Sequence, residues 1–336
     1  MKVEVVSKEI VRPSSPTPEM ECNDEGVEFI VADVAENMCC LLDNPEMEKI
    51  RQLSPSAKVY EPQPVGKVLL AVQVNRFCCG VIAIGFFVSH AILDGSTLAK
   101  KPGHPSIAAV LSNNHSTILF PPLTDTSALE RSVKMAAEAI QQEEKHMVVK
   151  RFVIPANAIA QLREELIFKE NNKGFQRPSR TEAITALVWA AVIIANPSQT
   201  VTLSCMVDLR SRMEPPLPPN CLGNLTYGAT VHCAAKDGTV VTAAQLVRRI
   251  RDSLKVKDSS TLYTSSLCRM PYYEIDFGWG KPRLVVNMVK NSMVLFLDAI
   301  NGGVEVWMGL PKQLMHTLTQ DHHFLAYVSR FPKPKL

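Results

Sequence analysis

The feature that most constrains this chain is the run from Ala183 to Ala195, apolar throughout except for Thr185. It is shorter than the roughly eighteen residues that mark a bilayer span. A helix that is apolar on every side must instead be buried on every side. It therefore needs other elements packed around it. The chain can supply them, with 336 residues of which 46% are hydrophobic, enough for two packed domains or one unusually large one.

Those elements read as an α/β alternation. Val68 to Val74, apolar except for Gln73, has the look of a buried strand, and Val81 to Val88 is a nearly unbroken apolar run. With the short connection at Cys79 and Gly80, the pair reads as two adjacent central strands. A helix is expected from Ser127 to Lys145, where Leu129, Val133, Ala136, Ala137 and Ile140 recur at helical spacing. Val148 to Ile154 reads as a strand, and Pro155 opens a helix carrying Ala158, Ile159, Leu162 and Leu166. Val201 to Val207 is a further strand. Met293 to Ile300 and Val304 to Leu310 flank Asn301, Gly302 and Gly303, the composition of a tight hairpin. The 23 prolines cluster in connections such as Tyr60 to Pro64 and Pro215 to Pro219. A division near residues 150 to 155 separates an N-terminal domain, 1–152, from a C-terminal domain, 153–336.

Charge and cysteine content narrow the partners. A formal net charge of +3 from 36 Lys plus Arg and 33 Asp plus Glu is too slight a bias to point to nucleic acid or to an anionic membrane. The first residues lack the continuous apolar core of a secretory signal. Nine cysteines without a C-x-x-C suggest neither a disulfide framework nor a zinc site. Reduced thiols and a cytoplasmic setting are the expectation, with no metal. His316, His322 and His323 sit in a polar helical segment and read as a solvent-facing cluster. Arg248, Arg249 and Arg251 read as one helix face, and Trp189 and Trp307 as core.

Chemistry is expected at the end of the second apolar strand, in Ser89-His90-Ala91-Ile92-Leu93-Asp94-Gly95-Ser96. An imidazole where the backbone leaves a sheet lies where substrates reach catalytic groups. Its ordinary pKa near 6.5 leaves a neutral nitrogen to take a proton from an attacking alcohol. Asp94 could orient the ring, pair elsewhere, or cap a helix beginning at Gly95; the spacing does not choose. The second unusual stretch is Asp276-Phe277-Gly278-Trp279-Gly280-Lys281-Pro282, an acid with two aromatics and two glycines. No glycine-rich phosphate loop occurs, which argues against a kinase or a dinucleotide-dependent dehydrogenase.

These two stretches together resemble the signatures of the plant BAHD acyltransferases, His-x-x-x-Asp-Gly and Asp-Phe-Gly-Trp-Gly. Val11 to Pro18, Asp208 to Met213 and Ser266 to Arg269 resemble further family segments, so the likeness runs over most of the chain. Within the family it is most similar to the alkaloid and alcohol acetyltransferases related to vinorine synthase. The resemblance implies two domains of chloramphenicol-acetyltransferase-like topology, each a mixed sheet with flanking helices, and a channel between them. It implies acetyl-CoA or another acyl-CoA as cosubstrate, no permanently bound cofactor, a small-molecule acceptor and a monomer. His90 becomes the general base and Asp94 the partner of an arginine, here Arg210. Gly95, Gly278, Trp279 and Gly280 support the site; the resemblance places Asp276 to Gly280 away from the reaction centre in a structural role, although Asp276 also carries a proton-accepting role by motif. Asn224 matches a Gly-Asn pair near the acyl channel, and Lys281 and Arg283 are candidates for the phosphates of coenzyme A.

The chain also departs from the family. Pro18 is followed almost at once by Glu21 to Gly26, Lys100-Lys101-Pro102-Gly103 ends the helix after the first motif early, and the stretch from Lys257 to Tyr263 is abbreviated. Lost helices would leave apolar sheet surface in water, at roughly 1.5 to 3 kcal/mol for each large side chain. The expectation is an intact motif set on a shortened scaffold, and with it an alternative: a truncated, catalytically inactive protein.

Overall fold

The structure is a computed structural model that describes residues 3–9, 27–43, 46–55, 70–88, 93–99, 147–170, 175–196, 200–213, 216–217, 221, 223–234, 243–253, 262–286 and 293–328. Two mixed sheets carry the fold. The first has the order β1-β2-β3-β4, from β1 (Val3–Glu9), β2 (Glu28–Val34), β3 (Leu70–Phe77) and β4 (Ile82–Val88). Its middle pair, β2 with β3, is parallel, and the outer pairs are antiparallel. The expected apolar strands are β3 and β4, adjacent as expected. Centrality is corrected for β4, which ends the described order and leaves Ile82 and Phe86 exposed.

The buried face of β3 departs from what its apolar pattern implies. Gln73 and Asn75 are buried, whereas Val72 and Val74 are only partly covered. Two short helices, α1 (Met38–Asp43) and α2 (Met47–Arg51), explain this. The chain leaving α2 presents bare carbonyls to the sheet, and buried carbonyls need donors. Gln73 Nε2 donates to Gln52 O at 2.9 Å, and Asn75 Nδ2 donates to Leu53 O at 2.8 Å and to Ala83 O at 3.1 Å. Beside this amide pair Val34, Met38, Leu41, Ile50, Leu53 and Phe77 form a small apolar cluster.

The second sheet has the order β5-β10-β9-β8-β6-β7, from β5 (Met147–Ile154), β6 (Thr200–Asp208), β7 (Thr226–Ala234), β8 (Leu262–Ser266), β9 (Met293–Asp298) and β10 (Val304–Pro311). The chain enters it at Met147, so a division after residue 152 falls inside β5, all of which pairs with β10. β9 and β10 form the expected hairpin, with Gly302 at φ +78° in its turn.

Alternation along these strands gives the sheet two buried faces. Val294, Phe296, Val304, Val306, Met308 and Leu310 point to one side. Against them pack α4 (Ala156–Glu170), α5 (Arg180–Ala195), α6 (Ala243–Ser253) and α7 (Lys312–Leu318). α5 is the apolar run, buried from Ala183 to Ile193 and started by a capping box in which Ser179 Oγ accepts from Glu182 N and Glu182 accepts from Ser179 N. Trp189 and Trp307 are both core, as expected. Leu295, Leu297 and Trp307 point to the other side, where Ala99, Leu267 and Tyr272 cover them. Ala99 comes from the first half, so this second face is where the halves meet.

His316, His322 and His323 lie in α7 and in α8 (His322–Leu325), and no metal-holding group occurs among the described residues. Arg248 and Arg249 are exposed on α6, with the Arg248 guanidinium 5.7 Å from the Phe175 ring centre. The expected helix from Ser127 to Lys145 and the segments at Val11 to Pro18 and Lys100 to Gly103 lie outside the described residues.

Candidate active site

β4 stops at Val88 and the described chain resumes at Leu93. His90 lies between them, outside the described residues. Beyond it comes one turn of helix, α3 (Gly95–Leu98), with Asp94 as N-cap. A single turn does not hold itself, because nucleation fixes several dihedrals for one hydrogen bond. Tertiary bonds hold this one.

Asp94 is buried and spends every acceptor position it has. Oδ1 accepts from Thr97 N at 2.8 Å and from Arg210 Nη2 at 3.1 Å. Oδ2 accepts from Arg210 Nη1 at 2.8 Å and from Leu225 N at 3.0 Å. Arg210 is equally saturated. Its Nε donates to Cys221 O at 2.9 Å, Nη1 also meets Asp208 Oδ1 at 3.1 Å, and Nη2 meets Thr97 Oγ1 at 3.0 Å and Gly223 O at 2.9 Å. The planar guanidinium matches the carboxylate with two parallel bonds, which a lysine cannot do. Burial by itself pushes the Asp94 pKa up. The Arg210 hydrogen bond and the Leu225 and Thr97 amides outweigh it, and the net shift is downward. Burial likewise disfavours the Arg210 charge, and Asp94 together with Asp208 more than restores it.

The sequence left three uses open for Asp94, and the geometry selects two of them. It caps α3 and it pairs with Arg210. Among the described residues each of its oxygens accepts from two protein donors.

Thr97 completes the junction. Its hydroxyl donates to Gly223 O at 3.0 Å and accepts from Gly223 N at 3.2 Å and from Arg210, its full capacity. Asn224, next in the chain, is exposed, and its Oδ1 accepts from Thr226 Oγ1 at 2.9 Å. Gly95 has an ordinary φ; a Cβ there would lie 2.4 Å from Leu267 Cδ2. Its lack of a side chain makes room for the second half.

The second motif is built differently. Asp276 is exposed, and its Oδ1 accepts from Gly278 N at 2.8 Å and Gly280 N at 3.0 Å. Both glycines take positive φ, 101° and 113°, which turns their amides inward. These two backbone donors hold the Asp276 pKa below its ordinary value. A carboxylate so held is a poor proton acceptor near neutral pH. Phe277 and Trp279 stack at 5.9 Å and are exposed. Lys281 is paired with Glu274, and Arg283 is exposed beside it.

The lead-in to this turn is more deeply set. Arg269 takes φ +69°, a conformation costing roughly 1–2 kcal/mol for a residue with a side chain. Asp298 holds it, accepting Arg269 N at 2.6 Å and pairing with Arg180 at 3.0 Å. A 3₁₀ turn at Tyr272–Glu274 comes next. Tyr272 Oη donates to Gly95 O at 2.7 Å, and Tyr273 Oη donates to the buried Glu305 carboxylate, also at 2.7 Å. Sequence reasoning missed Thr97 and Tyr272. Thr97 had a signal, since it stands three residues after a capping Asp; Tyr272 had none.

Two mixed sheets tied together through the buried Asp94 carboxylate and the Arg210 guanidinium define the class as a two-sheet α/β fold. A family model described as the Transferase family matches residues 1–261 and 241–325. The chain is 31% identical to limonoid 21-O-acetyltransferase of Melia azedarach, over 93% of this chain and 80% of that one. It is 30% identical to vinorine synthase of Rauvolfia serpentina over 89% and 76%. The crystal structure of vinorine synthase superposes with a TM-score of 0.69 at 27% identity, over 92% of this chain and 78% of that one. An F. sporotrichioides protein solved with coenzyme A and T-2 shares the fold at a TM-score of 0.63 and 16% identity, over 91% and 81%. The chain belongs to this Transferase family, the BAHD acyl-CoA-dependent acyltransferases.

The alignment with the Melia protein extends over 351 residues, more than the 336 of the whole chain. The relative therefore carries residues inside the matched region that this chain lacks. The shortening expected from the motif spacing is internal.

Proposed function

We propose that the chain transfers an acetyl or other acyl group from acyl-CoA to a hydroxyl or amine of a plant specialised metabolite, with His90 as general base. The observation that carries this reading is the saturation of Asp94. It fixes the turn after His90 through bonds to the second half, and in this reading His90 is the group that acts on the acceptor. It takes the proton as the acceptor oxygen attacks the thioester carbonyl, and the tetrahedral adduct collapses with cleavage of the C–S bond. The departing thiolate recovers the proton from the imidazolium. No acyl-enzyme forms.

Supporting roles follow from position. Asp94, Arg210 and Gly95 shape the site. Asp276, Gly278, Trp279 and Gly280 form a self-contained turn, and Asp276 is structural. Arg283 is better placed than Lys281 to meet a phosphate of coenzyme A, because Lys281 already pairs with Glu274; Asn224 lines the acyl end. The two sheets correspond to two domains, the protein works as a cytoplasmic monomer, and no cofactor stays bound. No helix among the described residues is long and apolar enough to cross a membrane.

A second reading, a truncated protein that binds without turnover, draws on the internal residues missing relative to the Melia protein. Release of free thiol from acetyl-CoA, against a panel of alkaloid, terpene and phenylpropanoid alcohols, separates the two. Turnover that His90→Ala lowers by about 10² to 10⁴ supports the acyltransferase. A folded protein without turnover favours the second reading.

A further inference from the structure

The two signature motifs are far apart in sequence, and one side chain joins them. Tyr272, four residues before Asp276, donates from Oη to Gly95 O at 2.7 Å, on the first residue of α3. That carbonyl also accepts Ala99 N at 3.1 Å, the bond that closes the helical turn. Tyr272 is buried among Ala99, Leu267, Leu295 and Trp307. Its backbone is fixed as firmly as its side chain. On one flank Arg269 is held by Asp298. On the other Tyr273 is bonded to Glu305, a carboxylate that also takes two bonds from Arg151, at 2.9 and 2.8 Å, and one from Trp307 Nε1 at 3.2 Å. Val285 N, beyond the Asp276 turn, returns to Tyr273 Oη at 3.3 Å. Both arms of the second motif are thus tied to the sheet, and one arm reaches across to the first.

We infer that Tyr272 is a positioning residue: its hydroxyl links the second motif to the helical turn following His90 in the sequence and so sets where that turn stands. The inference rests on His90 being the base. Asp94 and Thr97 fix the same turn from the side of Arg210 and Gly223, and Tyr272 fixes it from the opposite end of the second half. Burial, with the Asp94 charge adding to it, pushes the phenol pKa upward, so the group stays a donor across the working range of pH.

The test is Tyr272→Phe, which removes the hydroxyl and keeps the ring. In hydrogen exchange, the peptide spanning residues 93–99 should exchange about fivefold faster, with β9 and β10 unchanged. In thiol release, kcat should fall about tenfold while the KM for acetyl-CoA stays within about twofold. Unchanged exchange in residues 93–99, an equal rise throughout the protein, loss of the folded state, or an unaltered kcat each overturns the inference. If wild type and His90→Ala are alike in turnover, the base reading fails, and the exchange measurement alone decides whether Tyr272 tethers the turn.

Discussion

The Asp94–Arg210 junction and the Asp276–Gly280 turn each involve one of the two stretches that carry the sequence resemblance, yet they are opposites as structures. The first is buried, and its bonds run between residues 94 and 97 on one side and residues 208 to 225 on the other. The second is exposed, and its carboxylate accepts from amides two and four residues on. A short unusual stretch of sequence can therefore record a long-range junction or a local turn. The consequences of mutation should differ accordingly.

Arg210→Ala gives the largest effect. It leaves a buried carboxylate with no countercharge and deprives Cys221 O of its donor, and breaking a buried pair from one side costs about 3–5 kcal/mol. Denaturant unfolding should show that loss, and Arg210→Lys should recover little of it, because an ammonium cannot reach all these acceptors at once. A cost below about 1 kcal/mol would put the junction on a par with a surface ion pair and remove the contrast.

Smaller, and confined to acid, is the pH response of the same pair. Asp94 titrates lower in the folded protein than in the unfolded chain. As pH falls through the ordinary Asp value near 4, the unfolded chain takes up a proton first, so stability declines from there until the folded group also protonates. Stability from this group is complete above that window. Asp94→Asn should flatten the decline that begins as pH falls through about 4. A variant as acid-sensitive as wild type would assign the acid response to other carboxylates.

How much of this was legible depends on the range of each interaction. α5 announced itself by length and by an apolar surface on every side, and the β9–β10 hairpin by Asn301-Gly302-Gly303, because both are local. The order of the second sheet was not legible: β8 lies between β6 and β9 through parallel pairings that leave no mark on its five residues. The burial of Gln73 and Asn75 was not legible, since polar residues in a strand signal exposure unless a bare carbonyl is brought to them. In the site, no spacing rule connects Asp94 with Arg210, 116 residues away. The family resemblance supplied that pair. Tyr272 and Thr97 donate to backbone carbonyls, and a carbonyl has no residue type to recognise.

The smallest effect belongs to the exposed turn. In Asp276→Ala two amides lose their acceptor, but both are exposed and water replaces it. Gly278 and Gly280 keep their positive φ at little cost without the carboxylate, since glycine occupies that region freely. The tie of this segment to the rest of the protein runs through Tyr272 and Tyr273, which the substitution does not touch. Thiol release by Asp276→Ala should therefore stay within about threefold of wild type, in contrast with the loss expected for His90→Ala. A fall of a hundredfold or more would mean that Asp276 acts on the reaction itself, and the contrast between the two motifs would then be one of exposure alone.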